Sequence, residues 1–103
     1  MTEPLATITT TGSLTRAAGE IDMSNADLIG ARIRAAADAA SPATLDLSAV
    51  TFFDSSALNM LIALATEFDR AGGKLTVIAA EGSIVERLLT ITHMEAYLNL
   101  GRP

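Results

Sequence analysis

The residues whose types and spacing could carry chemistry are Asp54, Ser55 and Ser56, followed by Ala57 and Leu58. A carboxylate and two hydroxyls stand between the run Leu45-Asp46-Leu47-Ser48-Ala49-Val50-Thr51-Phe52-Phe53 and an apolar-periodic stretch that reads as a helix. They fall where a buried strand turns into a helix N-terminus. The first N–H groups of a helix lack intrahelical partners, and the dipole there favours negative charge. Asp54 is placed to cap that helix through its side chain, and it could also orient Ser55. Ser55 is either a spacer in the cap or a phosphoacceptor. A phosphate there adds about −1.5 to −2 charges, meets free N–H donors, and sets a bulky dianion on any surface that docks around the helix end. Ser56 reads as a first-turn hydroxyl bonded locally, and as the minor candidate for modification.

Other chemistries find little support. An Asp-Ser pair could suggest nucleophilic catalysis, but the single His, His93, lies far downstream, near a helix end where partial charge suits the dipole. No G-x-S-x-G elbow surrounds Ser55. Asp22, Asp46 and Asp54 do not have the spacing of a metal loop, and Gly72-Gly73 lacks the G-x-x-x-x-G-K pattern of a phosphate cradle. There is no cysteine, which removes disulfides, thiol nucleophiles and Cys-ligated metals and fits a reducing compartment. The expectation is a non-enzymatic protein with no cofactor and no metal.

The elements that must position these residues fit one domain, taken as residues 1–103. Half of the residues are hydrophobic but only 4% are aromatic, so the core must be aliphatic. The net charge of −5 and the lack of a basic stripe argue against direct nucleic-acid binding, while an acidic surface suits a basic protein partner. No secretory pattern opens the chain and no apolar run is long enough to span a membrane. A soluble cytoplasmic protein is expected.

Leu5 to Thr11 is β-favouring, Gly12-Ser13 reads as a turn, and Leu14 to Ala18 as a second strand, so the pair forms a hairpin that Gly19-Glu20-Ile21-Asp22 ends. Ser24 then has the look of a helix N-cap, with Asp27 as a variant capping box and Met23 and Leu28 as a hydrophobic staple. Ala26, Ile29, Ile33, Ala36 and Ala40 recur at helical spacing, and Ser41-Pro42 stops the helix. Thr44 to Leu47 is a short strand. Leu58, Leu61, Ile62, Ala65 and Phe68 line a second helix, which Gly72-Gly73 ends. Leu75 to Ala79 is an apolar strand expected to be covered on both faces. Ser83 and Glu86 form a capping box for a third helix on Ile84, Leu88 and Ile91, and Ala96 to Leu100 suits a last strand. Strand-helix-strand units imply parallel pairing with right-handed crossovers. The expected fold is α/β: a mixed, mostly parallel sheet of four or five strands with its helices mainly on one face.

This sequence resembles the STAS domain, and within it the stand-alone anti-sigma factor antagonists of bacteria. The resemblance rests on Gly19-Glu20-Ile21-Asp22, on Leu45-Asp46-Leu47-Ser48 with Val50 to Leu58, and on Gly72-Gly73-Lys74-Leu75, and it spans roughly residues 5–100. It implies that Ser55, directly after the motif Asp54, is phosphorylated by the cognate anti-sigma factor, an ATP-dependent serine kinase. The unphosphorylated protein would bind that kinase and release its sigma factor, and a PP2C-type phosphatase would reset the switch. The partner-binding residues implied are Asp22, Asp54, Ser55, Ser56, Ala57 and Asn59. The family has Gly where this chain has Ala57, and frequently Gly where it has Asn59; the family's last helix is expected to be cut down or missing. Two rivals differ in class. One is a STAS adaptor on an ABC transporter ATPase or in a stress-signalling assembly, without phospho-regulation; the other is an enzyme or nucleotide-binding protein.

Overall fold

The computed structural model describes residues 4–39 and 41–101. Strands β1 (Ala6–Thr11) and β2 (Leu14–Ile21) form the expected hairpin, antiparallel and in unbroken register from Ala6 opposite Gly19 to Thr11 opposite Leu14. Helix α1 (Ala26–Ala36), strand β3 (Pro42–Phe53), helix α2 (Ser55–Ala71), strand β4 (Lys74–Ile78) and helix α3 (Ile84–Ile91) follow. A short 3-10 turn, Met94–Tyr97, leads into β5 (Asn99–Gly101). The sheet runs β1-β2-β3-β4-β5, and every pair after the hairpin is parallel. Stepwise progress across the sheet through right-handed crossovers sends successive helices to the same side.

Burial follows from that arrangement. Ala17, Leu45, Leu47, Leu75 and Val77 point to the helix side and are buried, against Ile29 and Ile33 of α1 and Leu61, Leu64 and Phe68 of α2. The opposite side carries Thr7, Thr9 and Arg16, exposed, with Thr44, Thr76 and Ile78 half-buried. The β4 strand is therefore covered on one face, not two. Arg34 of α1 meets Glu67 of α2 at 2.7 Å and ties the two helices together.

Several local expectations are corrected. The hairpin's second strand continues to Ile21, past Ala18. Ser24 does not cap α1: Asn25 precedes it without a side-chain cap bond, because the Asn25 carboxamide is engaged with the Asp22 N–H and the Glu20 carbonyl. Met23 and Leu28 form no buried staple and are 83% and 54% exposed. Ala36 is exposed, and Ala40 lies outside the described residues. The Thr44–Leu47 strand is the middle of a much longer β3. On α3 the buried residues are Val85 and Leu89, while Ile91 is 73% exposed. The last strand begins at Asn99, since Met94–Tyr97 is a helical turn. Two features hold. Gly72 closes α2 in the left-handed conformation, and the Ser83 Oγ accepts from the Glu86 N–H at 3.2 Å. Glu86 reaches back to the Gly82 N–H, one residue short of a closed box.

Candidate functional site

The end of β3 delivers Asp54 to the head of α2. Its Oδ1 accepts from the Ala57 N–H at 3.0 Å, the side-chain cap expected from sequence. Its Oδ2 accepts from the Met23 N–H at 3.2 Å, in the loop between β2 and α1. One carboxylate thus joins two loops that are thirty-one residues apart in sequence. With both oxygens held by backbone donors, Asp54 acts as scaffold rather than as a free metal ligand.

The loop on the other side has its own frame. Asp22 Oδ1 accepts from the Ser24 N–H at 2.8 Å and from the Ser24 hydroxyl. The Ser24 hydroxyl and backbone N–H together hold the Asp22 carboxyl below the usual carboxylate range. Asp22 is therefore ionised at neutral pH, on the loop that Asp54 grips.

Ser55 is the first residue of α2 and is exposed; Ser56 follows, half-buried. Among the described residues neither hydroxyl has a hydrogen-bond partner, so the local bond expected for Ser56 does not form. The Leu58 N–H bonds the Asp54 carbonyl and the Ala57 N–H is capped, which leaves the Ser55 and Ser56 N–H groups as the donors at the helix head. Ala57 is fully buried, in the first turn, with its φ outside the left-handed region. A Cβ is accommodated at this position, and glycine is not demanded by the backbone. Asn59 is exposed one turn after Ser55, on the same side of α2.

The structure thus brings Asp22, Asp54, Ser55, Ser56, Ala57 and Asn59 to the head of α2 and the loop tied to it. It also adds residues that sequence reasoning did not select. Met23 projects beside Asp54, and Phe52, two residues before it, is 40% exposed. Their apolar character fitted a staple and a strand equally well; only the bond from Met23 to Asp54 and their exposure single them out. His93 lies away in the chain, exposed, at a left-handed position between α3 and the 3-10 turn. Among the described residues no cluster of His, Asp or Glu could hold a metal ion, and no helix is long and apolar enough to cross a membrane.

No curated protein matches the sequence. Solved structures do match in fold. An anti-sigma factor antagonist from Mycobacterium paratuberculosis is 24% identical with a TM-score of 0.73, covering 92% of this chain and 82% of that one. An antisigma-factor antagonist STAS domain from Rhodobacter sphaeroides is 20% identical with a TM-score of 0.62, over 78% and 97%. The anti-sigma factor antagonist SpoIIAA in its unphosphorylated form is 14% identical with a TM-score of 0.69, over 93% and 87%. At these identities the likeness is one of fold. The STAS domain family model, however, matches residues 4–102 of the 103 in the chain. With that match, the central Asp-Ser-Ser run and the five-stranded mixed sheet agreeing, the chain belongs to the STAS domain family.

Proposed function

We propose that this protein is an anti-sigma factor antagonist. It binds a serine-kinase anti-sigma factor through the head of α2, and phosphorylation of Ser55 switches it off. The observation that carries the reading is an exposed, unbonded Ser55 hydroxyl at the first position of a helix whose geometry Asp54 fixes independently. A kinase can reach such a hydroxyl without unfolding anything. A phosphate on it meets the Ser55 and Ser56 N–H donors and the positive end of the dipole, so the fold tolerates it. On the docking side, the same dianion adds to the carboxylates of Asp22 and Asp54 and must be desolvated on binding. The partner is expelled by repulsion rather than by refolding. A PP2C-type phosphatase restores the free hydroxyl. The protein works by binding, with no catalysis of its own, no cofactor and no direct contact with nucleic acid, in the cytoplasm of a bacterium. The fold likeness to anti-sigma factor antagonists supports the role.

The test is an affinity capture from host lysate with wild type and Ser55→Glu, read by mass spectrometry. A serine kinase retained by wild type and lost with Ser55→Glu is the expected result. A transporter ATPase retained equally by both would replace this reading with an adaptor role, in which Ser55 only opens the helix.

A further inference from the structure

The helix that carries Ser55 has no cation before its last turn. Arg70 is the first Lys or Arg of α2, and the loop Asp22–Asn25 that Asp54 grips has none. A phosphate on Ser55 is therefore unmatched by a positive side chain of its own helix or of that loop, while the carboxylates of Asp22 and Asp54 stand at the same end. The backbone offers the N–H groups of Ser55 and Ser56. Adjacent residues of a helix do not face each other, so the side chains within reach of Ser55 on α2 are those one turn along. Of these, Leu58 is apolar and buried, and Asn59 is exposed. The turn between is regular, with the Leu58 N–H on the Asp54 carbonyl at 2.9 Å. Residues four apart on such a helix have their Cβ atoms about 5–6 Å apart, and helical side chains lean toward the N-terminus over the preceding turn. The Asn59 carboxamide thus leans toward Ser55. Among the described residues it has no hydrogen-bond partner.

We propose that Asn59 is a positioning residue for phosphorylated Ser55: its Nδ2 donates to a phosphate oxygen and holds the dianion along the exposed side of α2. The inference rests on the reading of Ser55 as phosphoacceptor. The spacing suits the pair. Carboxamide and phosphoryl group both extend beyond their Cβ atoms, which leaves a donor–acceptor distance of about 2.8 Å to be spanned. A phosphoryl group has three terminal oxygens, so one turns to Asn59 while another keeps the backbone donors of the helix end. A hydrogen bond to an anion is about twice as strong as one between neutral groups. The Ser55 hydroxyl alone makes no such bond to Asn59, so the contact belongs to one state of the switch only. It fixes the dianion on the side of α2 where Ser55 and Asn59 are both exposed, in place of a charge that swings free off the helix end.

The test installs phosphoserine at position 55 of the full chain during synthesis. Its outcome depends on no kinase, and a failure of the Ser55 reading would show in partner affinity instead. The second ionisation of the phosphate, at about pH 6, is followed by ³¹P NMR in wild type, Asn59→Ala, Asn59→Asp and Asn59→Gln. A donor to the dianion lowers that pKa, so Asn59→Ala is expected to raise it by about 0.5. Asn59→Asp raises it further, because a like charge replaces the donor. Asn59→Gln keeps the carboxamide and brings the value back toward wild type. Asp22 and Asp54 act on the phosphate alike in all four proteins and cannot produce this order. In wild type the Asn59 side-chain amide signals shift on phosphorylation and follow the same titration. A change of helix propensity alone would move the stability of both forms and leave the titration in place. Equal phosphate pKa in wild type and Asn59→Ala, or Asn59 amide signals indifferent to the phosphate, would overturn the proposal.

Discussion

At the scale of single residues, Asp54 is the joint of the site. It caps α2 with one oxygen and holds Met23 with the other. Losing a helix cap costs about 1–2 kcal/mol. Asp54→Ala should therefore lower the stability by about that amount in urea denaturation and speed exchange of the Met23 amide; unchanged Met23 exchange would show that the bond between loops carries nothing. Ser55 is different in kind. Its hydroxyl is exposed and bonded to no described residue, so Ser55→Ala should change stability by less than about 0.5 kcal/mol while abolishing any phosphate acceptance at that position. A large loss of stability in Ser55→Ala would mean that the hydroxyl has a structural partner after all. The separation of scaffold from acceptor was partly legible in sequence: Asp before two serines at a strand-to-helix junction has a capping rationale. The tie to Met23 was not legible, since nothing in local spacing reports a contact across thirty-one residues.

At the scale of elements, β3 explains both what could and what could not be read. Its helix-facing residues are Leu45, Leu47, Val50 and Phe53, at spacings that break the period of two. The register with β2 shifts between Arg16 and Ala18 and again between Gly19 and Glu20, and each shift moves the inward side by one residue. A search for strict alternation therefore stops at Leu47, although the strand runs on to Phe53. Asp46 stabilises the first irregularity: its Oδ1 accepts from the Ser48 N–H at 2.9 Å, and its Oδ2 meets Arg16 Nε at 3.1 Å. The α2–β4 junction is read more easily, because Gly72-Gly73 is a helix-end signature. The second glycine has a further reason that sequence does not show. A Cβ on Gly73 would lie 2.1 Å from the Ala39 carbonyl oxygen and 2.8 Å from that of Ser41. Both neighbours are backbone and cannot step aside, so Gly73→Ala should destabilise by about 2 kcal/mol or more in thermal or chemical denaturation. A variant as stable as wild type would show that the α1–β3 connection yields freely.

At the scale of the whole molecule, an aliphatic core and a mixed, mostly parallel sheet set the head of α2 at one end, the surface that we propose a partner meets. The fold class and the helix-bearing face followed from the order of elements and crossover handedness, whereas the exposure of Met23, Leu28 and Ile91 depended on packing that periodicity alone does not specify. Acid sensitivity is also a property of the assembled sheet. Burial raises the pKa of Asp46, but the Ser48 and Arg16 donors outweigh it and leave the carboxyl below its ordinary value. A folded pKa below the unfolded one contributes stability that is present above the unfolded value and is lost as pH falls through the folded one. The Asp46 contribution to the denaturation midpoint should thus be present in full and independent of pH near neutrality and be lost below about pH 4, and Asp46→Asn should make that acid slope shallower. An unaltered slope would place the acid-sensitive group elsewhere.

The central claim concerns Ser55, and it is tested most directly by installing phosphoserine at position 55 and measuring affinity for the captured serine kinase against the unmodified protein. The account predicts that binding weakens by about a hundredfold or more while the circular dichroism and the Met23 amide stay as they were. Equal affinity of the two forms would contradict it.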